Sequence, residues 1–185
     1  MSSHPTEALT FLFTDIEGST ARWEAHREAM SMALARHDAI VRSAIESHGG
    51  HVFKTVGDAF YGAFPAAPAA LAAAVEAQRA LYAEDWGAVD PDFADLRVRM
   101  GVHRGLAEAR GGDYFGPALN RTARLASAGH GGQILLSQAA AQAVRGDLPA
   151  GQTLRDLGEH RLKDLRHSEH ISQVVVEGLP TSCAR

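Results

Sequence analysis

The sequence has little cysteine and no long apolar run. Its single cysteine, Cys183, lies in the terminal segment 179–185, so no disulfide can form within the chain and a reducing cytoplasm is the expected location. Residues 1–7 lack both the basic and the apolar part of a secretory signal. The most apolar stretch, residues 66–75, is far shorter than the roughly 20 residues that span a bilayer. We therefore expect a soluble cytoplasmic protein without a membrane partner.

An excess of either charge is also absent. The chain has 18 Lys and Arg residues against 22 Asp and Glu residues, which gives a formal net charge of −4. This balance provides no long-range attraction to nucleic acid, so a nucleic-acid partner is not expected. With 185 residues the chain fits one domain with a substantial core, which we place at residues 1–178, followed by a tail at residues 179–185.

Several familiar motifs are missing. The sequence contains no Gly-x-x-x-x-Gly-Lys-Ser/Thr loop, no Gly-x-Gly-x-x-Gly after a strand, no His-Glu-x-x-His and no Gly-x-Ser-x-Gly. Their absence excludes most common nucleotide-binding and hydrolase sites. His167 and His170 have a spacing that suits a metal, but in this polar, histidine-rich stretch a solvated surface is the favoured interpretation.

Residues 11–20 are typical of a buried strand that ends in a carboxylate and turns into a helix. Apolar residues alternate along the strand up to Asp15, and Gly18, Ser19 and Thr20 supply a tight turn and a helix N-cap. Asp15 is therefore expected beside free backbone N–H groups, which favour phosphate, while the carboxylate can hold the metal that accompanies a polyphosphate. This corner predicts a metal–triphosphate site, although many strands end in the same way without one.

The rest of the chain alternates helices and strands. Apolar periodicity and Gly or Pro breaks predict helices at residues 21–47, 65–83, 117–128 and 137–144. They predict further strands at residues 52–56, 59–64, 96–102, 106–109, 133–136, 154–157 and 171–176, with a hairpin turn at Gly57-Asp58, a turn at Gly105 and a loop at residues 84–94. This order predicts an α+β fold, a ferredoxin-like sandwich in which helices pack on a mainly antiparallel sheet.

A few polar residues stand at turns, at strand ends or on one helix face: Asp15, Lys54, Asp58, Asp113, Asn120 and Arg124. Taken singly, each has an ordinary explanation, such as a turn preference or an exposed helix face. In order and spacing, however, the segments that contain them resemble the signature segments of class III adenylyl and guanylyl cyclase catalytic domains. The segments are Phe-Leu-Phe-Thr-Asp-Ile-Glu-Gly-Ser-Thr at 11–20, Phe-Lys-Thr-Val-Gly-Asp-Ala-Phe at 53–60, and Gly-Asp-Tyr-Phe-Gly-Pro-Ala-Leu-Asn-Arg-Thr-Ala-Arg-Leu at 112–125.

Two later segments agree with the resemblance. They are Gly-Gly-Gln-Ile-Leu-Leu-Ser at 131–137 and Leu-Gly-Glu-His-Arg-Leu-Lys-Asp-Leu at 157–165, so the resemblance covers nearly the whole chain, about residues 9–176. It implies an enzyme that converts ATP to 3′,5′-cyclic AMP and pyrophosphate. It also implies a homodimer in which each active site is shared between two chains.

The resemblance assigns a role to each site residue. Asp15 and Asp58, with the backbone carbonyl of Ile16, match the ligands of two divalent cations, Mg²⁺ or Mn²⁺. The adenine-selecting residues match Lys54 and Asp113. The remaining matches are Asn120 for orienting the ribose, Arg124 for stabilising the transition state and Lys163 for the terminal phosphates. Gly18, Ser19 and Thr20, which form the turn after the first strand, are the candidate substrate-binding residues of the phosphate corner.

Two alternatives remain open. A guanylyl cyclase is disfavoured by Lys54 and Asp113, since guanylyl cyclases carry other residues there. A catalytically silent nucleotide-binding or regulatory module of the same fold is disfavoured by the full set of metal, base and transition-state residues. Two departures from the family are Arg104, where a small polar residue is more usual, and the short stretch 105–113, which resembles a subgroup with a reduced dimer arm.

Overall fold

The computed structural model describes residues 5–181, so Cys183 and residues 1–4 lie outside the described part. The helices are α1 (Ser19–Ala25), α2 (Arg27–Ser47), α3 (Ala67–Ala83), α4 (Pro117–Ala128) and α5 (Gln138–Val144). The strands are β1 (Thr6–Ile16), β2 (His51–Val56), β3 (Ala59–Phe64), β4 (Val98–Arg110), β5 (Asp113–Phe115), β6 (Ile134–Leu136), β7 (Gln152–His160) and β8 (Glu169–Val176).

The strands form one eight-stranded sheet in the order β2-β3-β1-β4-β6-β8-β7, with β5 folded back on the end of β4. The long central pair, β1 and β4, is antiparallel and runs from Thr6 opposite Glu108 to Ile16 opposite Val98. Among the described strands only the β4–β6 pair is parallel. The predicted α+β fold with a mainly antiparallel sheet is confirmed.

The two faces of the sheet carry different helices. Leu12 and Ile16 of β1 belong to the main core, which also contains buried residues of α2, α3 and α5. Phe11 and Phe13 point to the opposite face and pack in a smaller cluster with Ala118 of α4. Because successive strand residues alternate between faces, the odd positions at the end of β1, including Asp15, share the α4 face. The site residues of β1 and α4 are therefore on one side of the sheet.

Two glycines of β4 let α4 lie directly on this face. A Cβ atom at Gly101 would come within 2.7 Å of the backbone nitrogen of Ala126, and one at Gly105 within 3.0 Å of the Cβ of Ala118. Neither distance is compatible with a side chain unless the helix moves away. The close contact fixes the height of α4, and with it the position of Asn120 and Arg124 above the sheet.

Three parts of the predicted order of helices, strands and loops differ from the structure. The helix at residues 21–47 is broken at His26, whose ring nitrogens lie 3.2 Å and 2.9 Å from carboxylate oxygens of Asp90 and Asp92. The loop at residues 84–94 contains two short 3-10 helices, Trp86–Ala88 and Pro91–Phe93. No turn occurs at Gly105, because this residue pairs with Leu9 within the continuous strand β4. In the first and third cases a tertiary contact overrides the local pattern.

The structure also accounts for Arg104. Its Nη1 donates to the carbonyl oxygen of Pro65 at 3.4 Å and lies 3.5 Å from the Oγ1 of Thr10. Arg104 therefore ties the segment before α3 to the β1–β4 pair. Its contacts are structural and involve none of the candidate site residues.

Candidate active site

Asp15 and Asp58 meet at one end of the sheet. Asp15 is the next-to-last residue of β1, and Asp58 lies in the tight turn between β2 and β3. The backbone N–H of Ile16 donates to Oδ2 of Asp58 at 2.6 Å. The expectation of free N–H groups beside Asp15 is therefore wrong for the next two residues, since Glu17 also donates, to the carbonyl oxygen of Arg97 at 3.0 Å.

Arg99 is a site residue that the sequence analysis missed. It lies directly opposite Asp15 in the β1–β4 register, and its Nε and Nη2 donate to the two carboxylate oxygens at 2.7 Å and 2.6 Å. The hydrogen bond with Asp15 is the main reason why the pKa of Arg99 is raised, while burial acts in the opposite direction. The alternating arginines of this strand were visible in the sequence, but the strand register was not.

The half-buried carboxylates of Asp15 and Asp58 provide oxygen ligands of the kind that Mg²⁺ and Mn²⁺ prefer. The guanidinium of Arg99 donates to both carboxylate oxygens of Asp15, and the N–H of Ile16 donates to Oδ2 of Asp58. The backbone carbonyl of Ile16, the residue after Asp15, offers a third candidate oxygen ligand. This donor set fits a divalent cation.

One other group of described residues has the spacing of metal ligands: His26, Asp90 and Asp92. Each ring nitrogen of His26 already contacts its own carboxylate, so these side chains are already in contact with one another at the surface. His170 similarly lies 2.7 Å from Asp156 and is not joined to His167 in a metal-spaced group among the described residues. His167 is exposed, and His170 is half-buried.

Lys54 and Asp113 form an ion pair although they are far apart in the sequence. The ammonium of Lys54 lies 3.0 Å from Oδ2 of Asp113. Burial alone would raise the pKa of Asp113, but the hydrogen bonds from Lys54 and from the N–H of Tyr114 lower it overall. The neighbouring rings of Phe53 and Tyr114 pack edge to face with centroids 5.0 Å apart. This aromatic contact holds β2 against β5 and so brings the two charged groups together.

The α4 residues form the third part of the site. Asn120 is exposed, and the Nη2 of Arg124 donates to Oδ2 of Asp164 at 2.6 Å. Lys163 is exposed and immediately precedes Asp164 in the chain. The candidate residues of one chain thus form three groups, Asp15 with Asp58, Lys54 with Asp113, and Arg124 beside Lys163.

The turn after β1 differs in detail from the prediction. Gly18 itself is the N-cap of α1 with φ 69°, a left-handed conformation that suits glycine, and no side chain caps this helix among the described residues. Ser19 and Thr20 begin the helix and are not capping residues. Gly18 and Thr20 are exposed and Ser19 is half-buried, so all three border solvent next to the carboxylate corner.

A comparison with known families identifies the fold. Residues 1–177 match the family model described as the adenylate and guanylate cyclase catalytic domain. The chain belongs to this family. The predicted class III cyclase domain is confirmed, and the domains of this family are enzymes of the lyase class that bind a nucleotide substrate and generally use divalent metals.

Relatives agree with this assignment. An uncharacterised protein of Mycobacterium tuberculosis is 40% identical over 172 residues, which are 92% of this chain and 56% of the relative. The chain thus spans about half the length of the first curated relatives that it matches. A structure of adenylate cyclases from Trypanosoma brucei in their monomeric state is similar with a TM-score of 0.85 and 30% identity, covering 97% of this chain and 96% of that chain.

The same fold also occurs in a guanylate cyclase. The guanylate cyclase domain of RhGC from Catenaria anguillulae, in complex with GTP, has a TM-score of 0.80 at 19% identity over 93% of this chain and 98% of that chain. The fold of this cyclase domain is therefore compatible with either purine, and the base must be argued from side chains. Among the described helices, none is both long and apolar enough to cross a membrane.

Proposed function

We propose that this cyclase domain converts ATP to 3′,5′-cyclic AMP and pyrophosphate. The observation that carries the proposal is the Lys54–Asp113 pair, which presents an ammonium and a carboxylate side by side at 3.0 Å. Adenine offers an acceptor at N1 for the ammonium and an exocyclic amine for the carboxylate. Guanine reverses these edges and would leave both charged groups facing the wrong partner, which is costly once the bound base excludes water from them.

Asp15 and Asp58, with the carbonyl of Ile16, would hold two cations, Mg²⁺ or Mn²⁺. When bound, these ions polarise the α-phosphate, lower the pKa of the attacking ribose 3′-hydroxyl and neutralise the leaving pyrophosphate. Arg99 orients the Asp15 carboxylate through its two hydrogen bonds. Gly18, Ser19 and Thr20 would border the phosphates at the start of α1.

The other residues would act on the substrate directly. Asn120 would orient the ribose by hydrogen bonding, Arg124 would meet the charge that develops on the α-phosphoryl oxygens, and Lys163 would contact the terminal phosphates. A contact such as that of Arg124, made mainly in the transition state, is worth about 3 kcal/mol. Positioning and charge neutralisation together supply the rate enhancement in this type of phosphoryl transfer.

We further propose that two chains form a head-to-tail dimer with shared sites. Large exposed side chains lie on the elements that carry the site residues: Val56 beside the Asp58 turn, and Leu106 and Phe115 on the β4–β5 arm, exposed by 56%, 63% and 43%. Apolar groups of this size favour burial against a partner surface. Lys54 and Asp58 are only four residues apart but would serve opposite ends of ATP, and a second chain that supplies one of these two groups completes each site more simply.

We place the catalytic domain at residues 1–178, in the cytoplasm, followed by the tail at residues 179–185. The first tail residue, Leu179, packs against the main core, so the tail leaves from a fixed point at the edge of the domain.

A turnover assay tests the function. With purified protein and Mn²⁺ or Mg²⁺, we expect cyclic AMP and pyrophosphate from ATP in equal amounts, and a kcat/KM for GTP lower by about 100-fold, the size expected when buried polar partners are mismatched. A preference for GTP would support a guanylyl cyclase instead. Binding of nucleotide without turnover of either would support the silent regulatory module.

The base-reading pair has its own test. Changing Lys54 to glutamate and Asp113 to serine together should lower kcat/KM for ATP by about 100-fold or more, because two partners of the adenine edge are lost or reversed. The Mn²⁺ concentration for half-maximal activity should stay the same, since the carboxylate corner is intact. Conversion to GTP is not required, because rejecting one base does not create contacts to another. A double variant that keeps its ATP preference would show that adenine is read elsewhere.

A further inference from the structure

Asp164 has an unusual backbone conformation. Among the described residues it is the only non-glycine residue with a positive φ, 62°. This left-handed region costs energy for most side chains with a Cβ atom; glycine occupies it most readily, and aspartate and asparagine tolerate it better than other residues. Asp164 lies in the turn between β7 and β8 that is closed by the N–H of Leu165 donating to the carbonyl oxygen of Leu162 at 3.2 Å. Strain of this kind persists where the surrounding structure or a function maintains it.

The turn is anchored on α4. Leu162 packs in a buried cluster with Leu125, the residue that follows Arg124. The carboxylate of Asp164 then accepts a hydrogen bond of 2.6 Å from Nη2 of Arg124. Among the described residues, Nη1 and Nε of Arg124 have no hydrogen-bond partner, and Nε is buried. One side of the guanidinium is thus fixed and the Nη1 donor is left for another acceptor.

Stability does not explain an aspartate at this position. The carboxylate of Asp164 is 56% exposed, and ion pairs with such an exposed partner contribute little to folding. Glycine would relieve the backbone strain and leave the leucine packing unchanged. The pair is therefore better explained by what it does to Arg124 than by what it does to the fold.

We infer that Asp164 is a positioning residue for Arg124. Its carboxylate orients the guanidinium so that Nη1 faces the reacting phosphate, and the left-handed turn is what brings the carboxylate to α4. The inference rests on the proposed function, because it concerns the geometry of the arginine assigned to the transition state. The turn between β7 and β8 would then have two roles. Lys163 would contact the substrate, and Asp164 would orient Arg124.

The test compares Asp164→Gly and Asp164→Asn with the wild-type chain. Asp164→Gly should lower kcat by about 10- to 100-fold, the range expected for losing a hydrogen bond to a charged group. The KM for ATP should change by less than about threefold, because the contact matters mainly in the transition state. Its Tm should be equal or higher, because the strain is removed. Asp164→Asn keeps an acceptor oxygen and tolerates the left-handed conformation, so it should retain more activity than Asp164→Gly.

A double-mutant cycle shows whether Asp164 affects kcat through Arg124 or independently of it. In an Arg124→Ala background, Asp164→Gly should change kcat by less than about twofold, because its effect passes through the missing arginine. Asp147→Gly removes another exposed carboxylate, in the segment between α5 and β7, and should leave kcat unchanged.

Three results for the variants overturn the inference. If the reductions in kcat from the two single substitutions multiply in the double variant, Asp164 acts independently of Arg124. If Tm falls in parallel with kcat, the role of Asp164 is structural. If kcat rises in Asp164→Gly, the pair is inhibitory. If the wild-type chain turns over GTP and not ATP, the same variants are measured with GTP, and the same results support or overturn the inference. A wild-type chain inactive on both nucleotides overturns the proposed function itself, and this inference with it.

Discussion

Replacing Asp15 or Asp58 by alanine is expected to reduce turnover by about 1000-fold or more, which corresponds to roughly 4 kcal/mol of lost transition-state stabilisation. Each substitution removes a carboxylate that would hold the cations, and an amide or methyl group cannot replace it. The measurement is the initial rate of cyclic AMP formation over a wide range of Mn²⁺ concentrations. Partial recovery at high Mn²⁺ would agree with a weakened metal site.

The structure sets the stability expected of these variants. Asp15→Ala leaves the half-buried Arg99 without its bidentate partner, and Asp58→Ala leaves the N–H of Ile16 without its acceptor. Each loss should lower the free energy of unfolding by about 1–2 kcal/mol. Asp15→Asn is the milder variant, because its amide oxygen still accepts one of the two hydrogen bonds from Arg99 while the metal loses a charged ligand. Unchanged turnover in Asp15→Asn would contradict the metal assignment, and Asp147→Ala provides a carboxylate-loss control away from the corner.

Much of the fold follows from local pattern. The alternation around Phe11 and Phe13, the Gly57-Asp58 turn and the break at Gly49-Gly50 each predict an element that the structure contains. These signals are strong because one buried face and one turn residue decide the local conformation. Where a distant residue decides, the prediction is wrong, as at His26, whose contacts to Asp90 and Asp92 interrupt a helix of otherwise continuous periodicity.

The candidate site shows the same limit. Nothing local links Lys54 to Asp113, and only the family resemblance suggested that they act together. Arg99 was missed because its partnership with Asp15 depends on the register of two strands that are far apart in sequence. Asp164 was missed because an aspartate in a turn gives no sign of a positive φ. The alternation of apolar residues fixes the face that a strand residue takes, but it does not say which residue of a distant strand lies opposite or which residue has a positive φ.

The shared site makes a prediction about mixed dimers. Asp15→Ala and Arg124→Ala homodimers should each be nearly inactive, because every site of either dimer lacks one group. In a mixed dimer with two-fold symmetry, one site receives both defects and the other receives neither. If subunits exchange freely, half of the dimers are mixed and each has one good site of two, so activity should recover to about a quarter of the wild-type value by this symmetry argument.

A matched mixture provides the control. Asp15 and Asp58 meet in the same corner of one chain, so a mixture of Asp15→Ala with Asp58→Ala should stay inactive, since each site takes its whole metal corner from a single defective chain. Subunit exchange is shown independently by mixing chains with two different labels. No recovery in the first mixture despite exchange would reject the shared site, and recovery in both mixtures would mean that the carboxylate corner is itself divided between chains. Only recovery in the first mixture alone agrees with a dimer in which one chain supplies the metal corner and its partner supplies Arg124.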